Sequence, residues 1–120
     1  MNYIRTADWK TEKHVPVIHA PDRIKSGEPV EITVTVGEET PHPNQPDHYI
    51  AWIELYYVPK GGNTVFPIGR AEFAAHGEVK VWTEPRATFT AKLPRSGKLV
   101  ALSLCNIHGL WMSERDIEVE

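Results

Sequence analysis

The chain reads as an all-β domain, an immunoglobulin-like antiparallel β-sandwich of about seven strands, and three observations predict it. Apolar and polar residues alternate with a period of two along several short segments, one longer run is rich in β-branched and aromatic residues, and Gly and Pro punctuate the segments at sandwich-like intervals. The first element is a short strand at residues 15–19, followed by a turn signal at Ser26-Gly27. Pro29 suits the first position of the next strand, where Val30, Ile32, Val34 and Val36 alternate with Glu31, Thr33 and Thr35. Residues 49–58 are apolar almost throughout, which predicts a strand buried on both faces. Lys60, Gly61, Gly62 and Asn63 turn the chain into a strand at residues 64–70, and a turn at His76-Gly77 leads to another at residues 79–83. Ala87, Phe89, Ala91 and Leu93 alternate with Thr88, Thr90 and Lys92, and Arg95-Ser96-Gly97 connects them to a strand at residues 99–104. Cys105 stands where that strand ends, and residues 116–119 form the last strand.

Composition bounds the function. At 120 residues, with no internal repeat or low-complexity tract, residues 1–120 form one domain. A chain of this size buries roughly two-thirds of the surface its unfolded form exposes. Hydrophobic residues at 41% and charged residues at 24% exclude a disordered chain, and a net charge of -3 offers no basic field for nucleic acid. One cysteine permits no internal disulfide, so a reducing, cytoplasmic setting is the simpler expectation. Residues 1–10 carry Arg5, Asp8 and Lys10 with no apolar signal core, and no apolar run approaches a membrane span, so no membrane partner is expected.

Within these bounds the chemistry gathers around one thiol. Cys105 precedes His108 by three residues, and His14, His42 and His48 stand upstream at strand edges or on a loop stiffened by Pro41, Pro43 and Pro46. One thiolate with several imidazoles suits iron, copper or zinc and discriminates against magnesium and calcium. Taken singly, each histidine is more often a surface or core residue, and a lone cysteine more often a small buried hydrophobe. The combination at strand ends and stiff loops is what points to a metal. His19 and His76 lack that context, and His76 reads as a turn residue before Gly77.

Three metal chemistries fit. Cys105, His108 and Met112 with one upstream histidine match the His₂Cys site with weak axial Met of a cupredoxin-like electron carrier. A structural zinc site would close with four ligands and leave a candidate over. All four imidazoles with the thiolate make five ligands, a count that iron accepts with a sixth position open to a small substrate.

The segments Glu12-Lys13-His14-Val15-Pro16, Thr40-Pro41-His42-Pro43, Asp47-His48 and Cys105-Asn106-Ile107-His108-Gly109 resemble the superoxide reductase family, also called neelaredoxin and related to desulfoferrodoxin, over nearly the whole chain. The resemblance implies one mononuclear non-haem iron per chain, with His14, His42, His48 and His108 equatorial and Cys105 axial. It implies an oxidoreductase that takes superoxide as substrate, reducing it by one electron to hydrogen peroxide with an electron from a rubredoxin-like donor. Glu12 resembles the carboxylate that takes the sixth position in the resting ferric state, and Lys13 the lysine that attracts the anion. Residues 1–13 would thus be an N-terminal segment and gating loop. Amides near Ile107 and His108 are expected to hydrogen-bond the sulfur. The chain lacks the four-cysteine module of longer members, so it resembles the short, single-iron class, whose members are often homotetramers.

Overall fold

The structure, a computed structural model, describes residues 3–120. Its strands are β1 (Pro16–His19), β2 (Arg23–Ile24), β3 (Val30–Val36), β4 (Ile50–Pro59), β5 (Phe66–Glu72), β6 (Arg86–Ala91), β7 (Gly97–Cys105) and β8 (Gly109–Val119). They form a three-stranded sheet in the order β1-β3-β6 and a five-stranded sheet in the order β2-β8-β7-β4-β5. Pairing is antiparallel except for the short parallel contact of β2 with β8. The two sheets make the expected immunoglobulin-like sandwich. Its core meets between Ile32 and Val34 of one sheet and Ile53, Leu55, Leu99 and Ile117 of the other.

The alternation in β3 holds over its first five residues, where Val30, Ile32 and Val34 are buried while Glu31 is exposed, but Thr35, on the polar face by its type, is buried as well. Thr33 completes the outer face by a hydroxyl pair with Thr88 across the β3–β6 ladder at 2.8 Å.

Four elements differ from the sequence reading. β4 is buried on one face only. Ile53, Leu55 and Tyr57 enter the core, whereas Trp52, Glu54 and Tyr56 are half-buried beneath Arg70, which lies 4.4 Å over the Trp52 ring and 2.6 Å from Glu54. A long apolar run therefore conceals an outer face covered by a cation. β8 begins at Gly109, not near residue 116. Its inward face carries Ser113 and Arg115, which look like surface residues in sequence but donate to carbonyls of β1 and its exit, Pro16 O at 2.6 Å and Ile18 O at 3.0 Å. Residues 79–83 are not a strand. Lys80 takes φ 60°, which breaks extension, and backbone bonds from Gly77 N to Val81 O and Thr83 N to Ala75 O close the segment into a loop. Finally, the two-residue β2 carried no periodic signal.

Cys105 pairs with Ile50 where β7 ends and β4 begins. The β4–β7 register slips between Ile50 and Trp52, a bulge that bends β4 at the functional end of the sandwich.

Candidate metal centre

Three unconnected pieces of chain converge at this end. The first is the approach to β1, where Asp8 O accepts from Thr11 N and Glu12 N, and Ser103 Oγ donates to His14 O at 2.9 Å. The second is the loop of residues 37–49. Gly37 holds φ 79°, and a Cβ there would lie 2.6 Å from the His42 backbone nitrogen, so only glycine lets the chain double back against that residue. Gln45 and His48 exchange backbone bonds at 2.9 and 3.1 Å around Pro46-Asp47, which fixes His48 on a tight turn. The third piece is the three-residue turn between β7 and β8, which Gly109 closes at φ 80°.

Asn106 ties the third piece to the second. Its Nδ2 donates to Asp47 O at 3.0 Å, its Oδ1 accepts from Tyr49 N at 2.9 Å, and its own N–H reaches Tyr49 O at 3.2 Å. The spacing of cysteine and histidine is thereby locked to His48 from across the chain.

The ligand atoms of His14, His42, His48 and Cys105 all lie within 4.8 Å of one another. His108 joins them, with Nδ1 3.1 Å from His14 Nε2 and 3.6 Å from Cys105 Sγ. The four imidazoles form a closed square. Successive ring centroids, 14 to 42, 42 to 48, 48 to 108 and 108 to 14, stand 4.8, 4.8, 5.1 and 4.9 Å apart, with successive planes crossed at 64° to 76°. Two nitrogens at right angles, each about 2.1 Å from a metal, are about 3.0 Å apart, close to the His14–His108 separation.

Tautomers are set from behind. Glu12 Oε1 lies 2.6 Å from His14 Nδ1 and accepts from His14 N at 3.0 Å, while Pro43 O lies 2.6 Å from His42 Nδ1. Each oxygen takes an Nδ1–H and leaves an Nε2 lone pair facing inward. Burial pushes the His42 ring down to about 4, with the charges of His14, His48 and Lys13 adding to it, against the opposing pull of Pro43 O. Burial also lowers His48, followed by His108, Lys13 and His14. Burial alone would raise Glu12, but its bonds to the His14 ring and amide outweigh that and hold the carboxyl below its usual value. His42 Nε2 and His48 Nε2 are buried with no hydrogen-bond partner, so their unused lone pairs fit a cation at the centre of the square.

His14 and Cys105 are buried, His42 and His48 half-buried, and His108 exposed, so the site opens on the side of His108 and Ile107. The His108 amide reaches Cys105 Sγ at 3.4 Å. Trp111 stacks on His14 at 4.9 Å and 12°, with Arg5 5.7 Å from the Trp111 ring. Met112 follows Trp111 on β8 and so points to the opposite face of the sheet, which removes the axial ligand that a cupredoxin-like site needs. Glu12 lies against the outer nitrogen of His14, outside the square. Lys13 is half-buried, and its charge acts on both His42 and His48.

His19 is exposed and paired with Glu38 at 2.6 Å, as its context predicts. His76 is not a surface turn residue; it is 3% exposed and packed beneath the loop of residues 42–48. Sequence reasoning passed over it, along with Gly37 and Trp111. Asn106 was visible inside the Cys–His motif, but its partners stand 57 and 59 residues away.

A family model described as desulfoferrodoxin matches residues 6–114. Superoxide reductase from Pyrococcus furiosus is 52% identical over 122 residues, which cover 96% of this chain and 96% of the relative. Neelaredoxin from Megalodesulfovibrio gigas is 42% identical over 123 residues, covering 97% and 95%. Among solved structures, superoxide reductase (neelaredoxin) from Archaeoglobus fulgidus in the reduced form superposes with a TM-score of 0.89 at 50% identity, covering 98% of this chain and 99% of that chain.

Proposed function

The chain belongs to the desulfoferrodoxin family, and we propose that His14, His42, His48, His108 and Cys105 are the residues that would hold its single iron. The protein is a superoxide reductase, converting superoxide, one electron and two protons to hydrogen peroxide. The observation that carries the ligand assignment is the closed square of imidazoles beside one buried cysteine. Iron bound there supplies the electron by cycling between its ferrous and ferric states.

The protein's own groups do the rest. Glu12 and Pro43 O hold protons on the outer nitrogens of His14 and His42, which keeps both inner lone pairs available. Cys105 would offer the iron a thiolate, a strong electron donor, and the His108 amide tempers its charge. Lys13 places a positive charge beside an otherwise anionic protein's site and draws in the superoxide anion. Product protons enter from solvent on the exposed His108 side. For Glu12 to act as a gate over the site, its carboxylate would first have to leave His14 Nδ1, which would loosen its hold on that ring.

Residues 1–120 act as one iron-binding domain. Within the N-terminal segment, Lys10 O is tied to Thr40 Oγ1 at 3.3 Å, supporting a strap across the ligand loop. A rubredoxin-like donor returns the electron at the edge where Ile107 is 57% exposed. Among the described residues no helix is long and apolar enough to cross a membrane, and the single thiol supports a cytoplasmic setting. The assembly is a homotetramer, which light scattering of the purified protein reads directly.

Donor stoichiometry tests the reductase. With a fixed amount of reduced donor, superoxide removal should consume one electron per superoxide, release no dioxygen and stop when the donor is spent. Sustained dioxygen release without any reductant would overturn it.

A further inference from the structure

His76 is the buried titratable group that the chemistry above does not use, and its surroundings connect it to the ligand loop. Its Nδ1 lies 2.8 Å from Asn44 Oδ1, and its Nε2 lies 2.7 Å from Phe73 O. The orientation of the Asn44 amide is not free, because its Nδ2 donates to Thr83 O at 3.0 Å. Both His76 nitrogens therefore face oxygen atoms, and a neutral ring donates its single N–H to one of them. One face of the ring stacks on Tyr49, with centroids 3.7 Å apart and planes at 12°. Its backbone N–H is held by Glu78 Oε1 at 2.6 Å, and a bridge to Trp82 anchors the loop that carries it.

These contacts bracket His48. Asn44 lies between His42 and His48, and Tyr49 follows His48 directly. Asn106 grips the same stretch from the cysteine turn, through Asp47 and Tyr49. Two anchors from different parts of the chain thus grip one short segment, which carries His48.

We infer that His76 is a positioning residue for the metal centre: through Asn44 and Tyr49 it fixes where the loop presents His42 and His48, without touching the metal. The inference rests on the reading that those two histidines are ligands. A ligand displaced by a fraction of an ångström binds less well, and outer partners that orient ligands typically govern about 10- to 100-fold in affinity. His76 acts one step further out, so the lower end of that range applies.

The test uses the iron-loaded protein and two readouts, the rate of iron release to a chelator and the thiolate charge-transfer band of the oxidised form. His76→Phe keeps a flat ring against Tyr49 but removes both ring nitrogens and with them the contacts to Asn44 and Phe73; it should accelerate release by about 10-fold and shift or broaden the band. His76→Gln retains one donor and should recover part of both. Ile117→Val, in the core where β8 pairs with Gly97 at the other end of β7, is the structural control; it should lower the urea midpoint yet leave release and band unchanged. Wild-type release and an unshifted band in His76→Phe overturn the inference, as does an Ile117→Val protein that loses iron equally fast. His48→Ala separates the two readings. Faster release there with none in His76→Phe defeats the positioning role alone, whereas unchanged release in His48→Ala defeats the ligand set and the positioning role with it.

Discussion

At the Gly97 end of β7 the polar groups are paired within the chain. Tyr57 donates to Arg95 O at 2.6 Å, Ser96 Oγ accepts from Val119 N at 2.8 Å, Lys60 N reaches Ser96 O at 2.9 Å, and Lys98 lies 3.2 Å from Asp116. At the Cys105 end of the same strand, His42 Nε2, His48 Nε2 and Trp111 Nε1 are buried without partners. A buried unsatisfied polar group costs about 1–3 kcal/mol, so the first end serves stability, whereas the second leaves two imidazole nitrogens that a cation would complete and one indole N–H, a donor, that a cation would not. The core residues between them, such as Leu99 and Ala101, are shared.

The sharpest way to break this contrast is to exchange damage between the ends. Cys105→Ser should lose the charge-transfer band and reductase activity altogether, an effect beyond the roughly 10- to 100-fold of outer-sphere changes. Ser96→Ala should cost about 1 kcal/mol in urea unfolding and leave both untouched. A Cys105→Ser protein with full activity and band would end the axial assignment. Next in size is Glu12→Ala, which frees His14 Nδ1 and should weaken iron binding by about 10-fold, read by competition with a chelator, while the ferric spectrum shifts. If affinity and spectrum both stay at wild-type values, Glu12 neither orients His14 nor reaches the metal. The smallest effect belongs to Lys13→Ala. One unit charge at about 4 Å is worth about 1 kcal/mol in water, so the bimolecular rate with superoxide should fall about fivefold, with iron content unchanged. Raising ionic strength should slow the wild-type protein more than the variant. Pulse radiolysis at several salt concentrations measures both, and identical salt slopes would make Lys13 an ordinary surface charge.

The two ends also differ in how far the sequence discloses them. β3 could be read almost to the residue, because Val30, Ile32 and Val34 alternate with polar residues; only Thr35, placed on the polar face by its type, is buried. Residue type and proline context singled out the candidate ligands, the family resemblance joined them into one set, and His14, His42, His48 and Cys105 lie close enough to hold a single ion. What escaped depends on distant partners. Ser113 and Arg115 belong on the inner face only because β1 offers carbonyls there, and Arg70 covers Trp52 from another strand. His76 had the residue type of a ligand but neither proline nor strand-edge context. Its role lies in a contact with Asn44, 32 residues earlier, which no local pattern encodes.

The square of imidazoles closes between His14 and His108, 94 residues apart in sequence. Bringing such distant segments together is the slow, entropically costly part of folding a sandwich. Before β1, the loop of residues 37–49 and the β7–β8 hairpin have docked, a metal ion would meet only fragments of the proposed set, and the local Cys–His pair would offer two donors of five. On that ligand set iron would not template the fold from an early nucleus; it would capture chains already in the native topology and slow their unfolding more than it speeds their folding.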